Sequence, residues 1–148
     1  MIAGVSSPVI DHYASFANSS TLYFSSARSG GVGSEDIYRS VVNGSVFSLP
    51  VVVAGMSTAG YEAAPAVTPD ELLAYVGSSI AFGDGGSAEA IFVSARTTTA
   101  DAWPKPILVT ELASGSSIPG WISPDRCRLY FSSDRGGTPD LFVAERTP

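Results

Sequence analysis

The fold is decided by residues 129–146, which read LYFSSDRGGTPDLFVAER. Aromatic and branched residues at 129–131 and 141–143 suit a pleated, buried surface. Between them stand Gly136, Gly137 and Pro139, which supply the flexible and fixed φ angles that a chain reversal needs. The stretch therefore predicts a hairpin of two short antiparallel strands.

The hairpin pattern occurs three times along the chain. Residues 22–40 read LYFSSARSGGVGSEDIYRS, and residues 72–96 carry a weaker version, LLAYVGSSIAFGDGGSAEAIFVSAR. Tyr23, Tyr75 and Tyr130 fall at equivalent places, at spacings of 52 and 55 residues. Repeats of this length, when each holds four short strands, are typical of β-propeller blades.

The repeats predict an all-β protein, a single propeller unit over residues 1–148 with four antiparallel strands per blade. We expect three blades, at about residues 11–53, 62–110 and 117–148. The fourth strands are predicted at residues 47–53 and 103–110, and each contains proline. Proline is tolerated mainly on edge strands, which is where the outermost strand of a blade lies. The third repeat ends before a fourth strand.

Three blades are too few for a closed ring, because propellers typically have four to eight. Residues 2–7, IAGVSS, resemble residues 53–58, VAGMST, at the end of a fourth strand. We therefore predict a homodimer of six blades, in which residues 1–7 of each chain complete the third blade of its partner. The alternative is that the chain is a piece of a longer propeller.

Composition narrows the classes of partner and cofactor. The 148 residues carry a net charge of −6, which disfavours binding to the nucleic-acid backbone. One cysteine and one histidine exclude the common metal motifs, and no apolar run approaches the length of a membrane span. We expect no cofactor, no metal, no nucleic-acid partner and no membrane insertion. Cys127 is predicted to be a small buried hydrophobic residue.

The third repeat resembles a known family. Residues 123–146, SPDRCRLYFSSDRGGTPDLFVAER, look like the repeat of the TolB-like β-propellers, a WD-repeat-like family of bacterial proteins. TPDELLAYV at 68–76, WPKP at 103–106 and DHYASFANSSTLYFSSARSGG at 11–31 follow the same pattern. The resemblance implies the propeller fold. It also implies a periplasmic or extracellular location, although the sequence shows no signal peptide.

No catalytic residue is predicted. The sequence has no GxSxG and no HExxH motif, and His12, its single histidine, is expected to be a loop residue without chemistry. Asp36 and Asp140 are expected to accept backbone N–H bonds from the hairpin turns that precede the third strands. Arg28 and Arg135, at the hairpin tips, are expected to pair with neighbouring acids such as Asp134.

The topology of a blade points to a candidate binding surface. The connection into the first strand and the hairpin between the second and third strands open on the same face of the ring, where a rigid scaffold holds the loops. This predicted rim suits a protein or peptide partner. Its candidate binding residues are His12, Tyr13, Arg28, Tyr61, Glu62, Asp84, Asp134 and Arg135.

The sequence therefore favours a non-enzymatic binding scaffold. One alternative is a carbohydrate-binding, lectin-like module in which Tyr61 and Trp121 stack on sugars. Another is a substrate-gating propeller piece of a hydrolase. Trp121 lies in a predicted inner strand, so we expect its side chain to pack in the core.

Overall fold

The computed structural model of the protein describes residues 1–79 and 88–146. Within these ranges the regular structure is β-strand apart from two short 3₁₀ turns, Ala54–Met56 and Thr110–Leu112. The predicted all-β class is confirmed. The strands are β1 (Asp11–Asn18), β2 (Thr21–Ser26), β3 (Asp36–Asn43), β4 (Val46–Phe47), β5 (Val51–Val52), β6 (Glu62–Val67), β7 (Leu73–Ser78), β8 (Ala90–Ala95), β9 (Ile107–Leu108), β10 (Ser117–Ile122), β11 (Arg128–Ser133) and β12 (Asp140–Glu145).

The strands form three antiparallel sheets that follow one another along the chain. The first has the order β1-β2-β3-β4, with β5 also paired to β3, the second has the order β6-β7-β8-β9, and the third has the order β10-β11-β12. The predicted hairpin at 129–146 is confirmed, with Leu129 opposite Ala144 and Phe131 opposite Phe142. The first strand of each sheet packs against the first strand of the next, β1 on β6 and β6 on β10.

The outer strands are shorter than predicted. Instead of continuous strands at 47–53 and 103–110, only β4, β5 and β9 pair, with two residues each. Prolines at 50, 104 and 106 interrupt the ladder because proline has no N–H to donate. Ser40 and Ser94 compensate, since each hydroxyl donates a 2.7 Å hydrogen bond to a backbone carbonyl of the outer segment.

Each sheet uses its two faces differently, and we call the face that packs on the next sheet its forward face. Tyr23 and Ile37 on the forward face of the first sheet form one core with residues of the second. Ile91, on the forward face of the second sheet, packs against Leu129 and Phe131 of the third. The core therefore consists of two layers between successive sheets and a third cluster between the first sheet and the N-terminal turn that carries Val5.

The forward face of the third sheet is open to solvent. Leu141 occupies the repeat position of Ile37 and Ile91, yet it is 88% exposed where each isoleucine is 0% exposed. The prediction that Trp121 packs in the core was wrong: it lies on this same face, 51% exposed, with its ring centroid 5.6 Å from that of Tyr130. No sheet among the described residues covers them.

A connecting turn leads into the first strand of every sheet. The turns at residues 2–6, 53–57 and 109–113 share a backbone hydrogen bond from the fourth residue to the first. Val5 and Met56 are buried at equivalent places in the first two. Residues 1–7 thus form the turn before β1, and Val5 packs against Leu22 and Phe24 of its own sheet.

Glu71 locks the second sheet to the first. It lies in the turn between β6 and β7 with a φ of 55°, and its carboxylate accepts hydrogen bonds from Thr21 Oγ1 (2.8 Å), Tyr23 Oη (2.7 Å) and Arg39 Nε (3.1 Å). Burial opposes ionisation, but these donors outweigh it, so the pKa of Glu71 is lowered to about 2. Burial and the neighbouring carboxylate raise the pKa of Tyr23 to about 12.

Candidate functional site

Arg28, a predicted rim residue, is held by contacts within the chain. Its guanidinium lies over the rings of Phe24 and Tyr38, 4.9 and 5.0 Å from their centroids. Its Nη2 donates to Val5 O (2.7 Å) and to Asp11 Oδ1 (2.6 Å). The side chain is only 15% exposed, so it ties the connecting turn at 2–6 to the first sheet.

Arg135 repeats this arrangement in the third sheet. Its guanidinium lies 4.8 Å from the ring centroid of Phe131 and 5.2 Å from that of Phe142, and Nη2 donates to Leu112 O (2.9 Å). The expected pairing with Asp134 is not observed, because Asp134 Oδ1 accepts a 2.7 Å bond from the backbone N–H of Ser116. Both arginines therefore hold a connecting turn in place.

The carboxylates of Glu62 and Asp11 each close a short loop by accepting hydrogen bonds from the residue four positions earlier. Glu62 is 1% exposed and accepts hydrogen bonds from the backbone N–H of Thr58 (2.7 Å) and from its hydroxyl. Burial raises its pKa, and the nearby carboxylate of Asp36 adds to that effect. Asp11 accepts the same pair of bonds from Ser7, at 2.6 and 2.8 Å. These carboxylates shape the loops that carry the rim.

A group of titratable and aromatic side chains lies at the start of the first strands. His12 Nε2 contacts Glu35 Oε2, and the His12 ring lies 4.2 Å from that of Tyr13. Glu35 pairs through its backbone with Tyr61, whose pKa is raised by burial and then by Glu89, Tyr13 and Glu35. Tyr13 is 43% exposed. We call His12, Tyr13, Glu35, Tyr61 and Glu89 the rim cluster.

The rim cluster lies on the first two sheets and contacts the third through Glu89. Glu35 and Glu89 directly precede the third strands β3 and β8. Glu89 O accepts a 2.7 Å bond from the backbone N–H of Ser117 at the start of β10. Glu35 O accepts a 3.0 Å bond from the N–H of Glu62 at the start of β6. Backbone hydrogen bonds between neighbouring sheets therefore hold the main chain of both glutamates at this end of the strands.

The structure brings only part of the predicted rim together. His12, Tyr13 and Tyr61 lie in the rim cluster, whereas the side chains of Arg28, Glu62, Asp134 and Arg135 are used in internal hydrogen bonds. Asp84 lies outside the described residues. Sequence reasoning missed Glu35 and Glu89, although an acid directly before a third strand was an available signal.

The two predicted turn carboxylates differ. Asp36 is 1% exposed and accepts bonds from the backbone N–H groups of Val32 (2.9 Å) and Gly33 (3.1 Å), as expected. Asp140 is exposed, and no backbone N–H in the described part of the chain donates to it. Asp36 thus closes its hairpin turn, and the prediction for Asp140 was wrong.

Two cavities lie between successive sheets, away from the rim cluster. One of about 370 Å³ is lined by Arg39, Val52 and Trp103 between the first and second sheets. The other, about 420 Å³, lies between the second and third sheets; its lining includes Tyr75, Val109, Leu112, Ile122, Leu129 and Arg146.

The described residues contain no group of three His, Cys, Asp or Glu side chains placed to hold a metal ion. None of the helical segments in residues 1–79 and 88–146 is long and apolar enough to cross a membrane.

Comparison with known proteins supports the fold. The crystal structure of TolB from Acinetobacter baumannii matches with a TM-score of 0.69 and 18% sequence identity. The match covers 96% of this chain and 31% of the TolB chain. No protein-family model and no curated protein sequence matches the chain. The structural likeness confirms a TolB-like fold of the β-propeller type.

Proposed function

We propose that this chain is a non-enzymatic scaffold that binds a protein or peptide partner through the rim cluster. The observation that carries the proposal is Tyr13: the residue is 43% exposed and its ring lies beside that of His12, whose imidazole contacts the carboxylate of Glu35. Tyrosine faces next to carboxylates suit a Lys or Arg side chain of the partner. The TolB-like fold supports a periplasmic location, as the family resemblance implied.

The proposal is tested by selecting binders from a displayed library of random peptides and titrating one against protein variants. Tyr13→Ala should weaken binding at least tenfold, about 1.4 kcal/mol, because it removes the exposed aromatic anchor. Phe16→Ala is the matched control, since Phe16 is a 54% exposed aromatic on the same strand. Binding that depends on Phe16 and not on Tyr13 would place the site elsewhere.

Two alternatives have their own tests. Exposed Trp121 beside Tyr130 favours a carbohydrate-binding module as the second candidate, because an open aromatic face can stack on a sugar. Glycan-array binding that is lost in Trp121→Ala would support it. Hydrolysis of ester, peptide or glycoside substrates that disappears in His12→Ala would instead make the chain an enzyme.

We also propose that two copies assemble into a ring of six sheets. The support is the open forward face of the third sheet, where Leu141 and Tyr130 are 88% and 42% exposed. In the first sheet the equivalent residues, Ile37 and Tyr23, are 0% exposed because the second sheet covers them. A six-sheet ring falls within the usual propeller sizes and hides exposed sheet surface.

The other half of this interface is the connecting turn at residues 2–6. Val53 and Val109, the first residues of the two later turns, donate from their backbone N–H to Ile37 O (2.8 Å) and Ile91 O (2.9 Å) of the preceding sheet. Ile2 stands at the same place and is 42% exposed. Its backbone N–H donates to Ser6 Oγ (2.9 Å) within the turn, so in the proposed ring the exposed Ile2 side chain makes the contact with the partner subunit.

Leu141→Asp should convert the dimer to a monomer, because it places a charge at the centre of the proposed contact. Light scattering after size-exclusion chromatography at about 10 μM should give twice the chain mass of 15.3 kDa for the wild type and the mass of one chain for the variant. Leu49→Asp, at an 80% exposed position outside that face, should stay dimeric. A monomeric wild type at this concentration contradicts the ring.

A further inference from the structure

The outer edge of β12 differs from the matching edges in the other two sheets. β5 pairs with β3 in the first sheet, and β9 pairs with β8 in the second. No strand in the described residues pairs with the outer edge of β12. The third sheet therefore presents the position of a fourth strand beside Phe142 and Val143, the counterparts of Tyr38 and Arg39.

The backbone groups at this edge can be assigned. In an antiparallel ladder, alternate residues direct both N–H and C=O to the same side. Arg146 N donates to Cys127 O on the β11 side, so Leu141 and Val143 direct theirs outward. In the other two sheets the equivalent carbonyl oxygens, Ile37 O and Ile91 O, accept hydrogen bonds from the first residue after β5 or β9. Leu141 O and the N–H and C=O of Val143 thus form a row that can accept another strand.

The 420 Å³ cavity lies next to this edge. The matching space between the first and second sheets is filled by a side chain. Trp103, 6% exposed, fills the equivalent place between the first and second sheets. The residues that surround Trp103 correspond by register to residues that line the cavity. The pairs are Tyr23 and Tyr75, Val53 and Val109, Met56 and Leu112, Val67 and Ile122, and Ala74 and Leu129.

A cation is also in position for an aromatic ring. The guanidinium of Arg96 lies 4.3 Å from the ring centroid of Trp103. Arg146 is the counterpart of Arg96, because each donates its backbone N–H to the residue that precedes the second strand, Leu72 O or Cys127 O. Arg146 lines the cavity. The cavity thus has apolar residues and an arginine at the positions that surround Trp103, and the rest of its lining includes the charged residues Glu111, Arg126, Arg128 and Glu145.

We infer that the third sheet binds an extended segment of a partner protein as its fourth strand, with a Trp or Phe side chain of that segment in the cavity. The second sheet shows the sequence that fits, WPKPIL at 103–108: an aromatic residue, spaced prolines and an aliphatic pair that forms the ladder. Strand addition of this kind takes affinity from backbone hydrogen bonds and specificity from side-chain pockets. This surface is separate from the rim cluster and does not depend on it.

The test is fluorescence anisotropy of a labelled peptide, DAWPKPILV, which copies residues 101–109, titrated with the full chain. We expect saturable binding that weakens at least tenfold when the peptide tryptophan is replaced by alanine. Val143→Pro should weaken binding about tenfold, because it removes an outward N–H while leaving the β11 ladder intact. Val143→Ala retains that N–H and should bind like the wild type.

A second variant distinguishes a loss of binding from a loss of folding. Ala144 packs at the edge of the core layer that borders the cavity. Ala144→Leu should fill part of the cavity and weaken the tryptophan peptide more than the alanine peptide. Equal binding of the two peptides, or no binding at about 1 mM, overturns the inference. It is also overturned if β12 pairs with β12 of a second copy, which would appear as self-association that persists in Leu141→Asp, that Val143→Pro abolishes and that the peptide does not compete.

Discussion

Replacing Glu71 with alanine should lower the free energy of unfolding by about 3–5 kcal/mol. The carboxylate is buried between two sheets and accepts hydrogen bonds from Thr21, Tyr23 and Arg39, so its removal leaves buried donors and a guanidinium without their partner. Urea denaturation followed by circular dichroism measures the change.

Asp70→Ala is the matched control for Glu71→Ala. Asp70 is the neighbouring acid in the same turn, and its ion pair with Arg126 is 46% exposed on the aspartate side. Exposed ion pairs contribute little, but Asp70 Oδ1 also accepts hydrogen bonds from Thr68 Oγ1 (2.7 Å) and the Leu72 N–H (3.1 Å), so the loss should be about 1–2 kcal/mol and smaller than that of Glu71→Ala. Similar losses for the two variants would mean that the contact of Glu71 with the first sheet does not stabilise the fold.

Because the pKa of Glu71 is lowered in the folded chain, we expect the free energy of unfolding to depend on pH. Its pKa is lowered from 4.5 to about 2, so its contribution is complete above pH 4.5 and is lost as the pH falls through 2. The shift corresponds to about 3 kcal/mol. Asp11, lowered to about 2, acts in the same direction, and Glu62, whose pKa is raised, acts in the opposite one. The difference between wild type and Glu71→Gln isolates the Glu71 part and should shrink below pH 4.5.

Ile91→Asp should prevent folding. Ile91 is 0% exposed and packs between the second and third sheets against Leu129 and Phe131. A carboxyl group there is either ionised without hydration or protonated without a partner, and with the lost isoleucine packing its cost is comparable to the roughly 5–15 kcal/mol that stabilises a domain. Far-UV circular dichroism and the dispersion of amide proton resonances should report an unfolded chain.

Leu141→Asp makes the same chemical change at the equivalent repeat position. Because Leu141 is 88% exposed, the variant should fold and show native spectra, even where it dissociates the proposed dimer. If both aspartate variants unfold, the third sheet is covered in a way that the exposure of Leu141 does not show. If both fold, Ile91 is not a core residue.

Local patterns sufficed to predict the strands. The hairpin of β11 and β12 follows from two apolar runs around a glycine-rich turn, and both features lie within 18 residues. Asp36 was predicted to hold its turn because a carboxylate near backbone N–H groups acts locally. The outer strands were overestimated because aliphatic content suggested a strand where prolines remove the donors.

Burial could not be predicted in the same way. Tyr23 and Tyr130 occupy the same repeat position, but they are 0% and 42% exposed because only the first has a following sheet to cover it. Trp121 was misplaced for this reason. Cys127, predicted to be buried, is exposed because it lies in the turn before β11 and not in the strand.

The candidate site was only partly predictable because its side chains act across sheets. FSSAR and FSSDR place Arg28 and Arg135 four residues after a phenylalanine, but only the folded sheet shows that each guanidinium lies over that ring. Glu71 is hidden in a common turn sequence. The neighbouring residues do not distinguish Glu71 from Arg126, which occupies the same repeat position and has a φ of 62°.

The exposed thiol of Cys127 has a practical consequence. It is the only cysteine of the chain and it lies on the wall of the 420 Å³ cavity. A maleimide dye or a nitroxide spin label would therefore attach at one defined point, without removal of any competing thiol. A change in its emission or its electron paramagnetic resonance line shape would report directly on whatever enters the space between the second and third sheets.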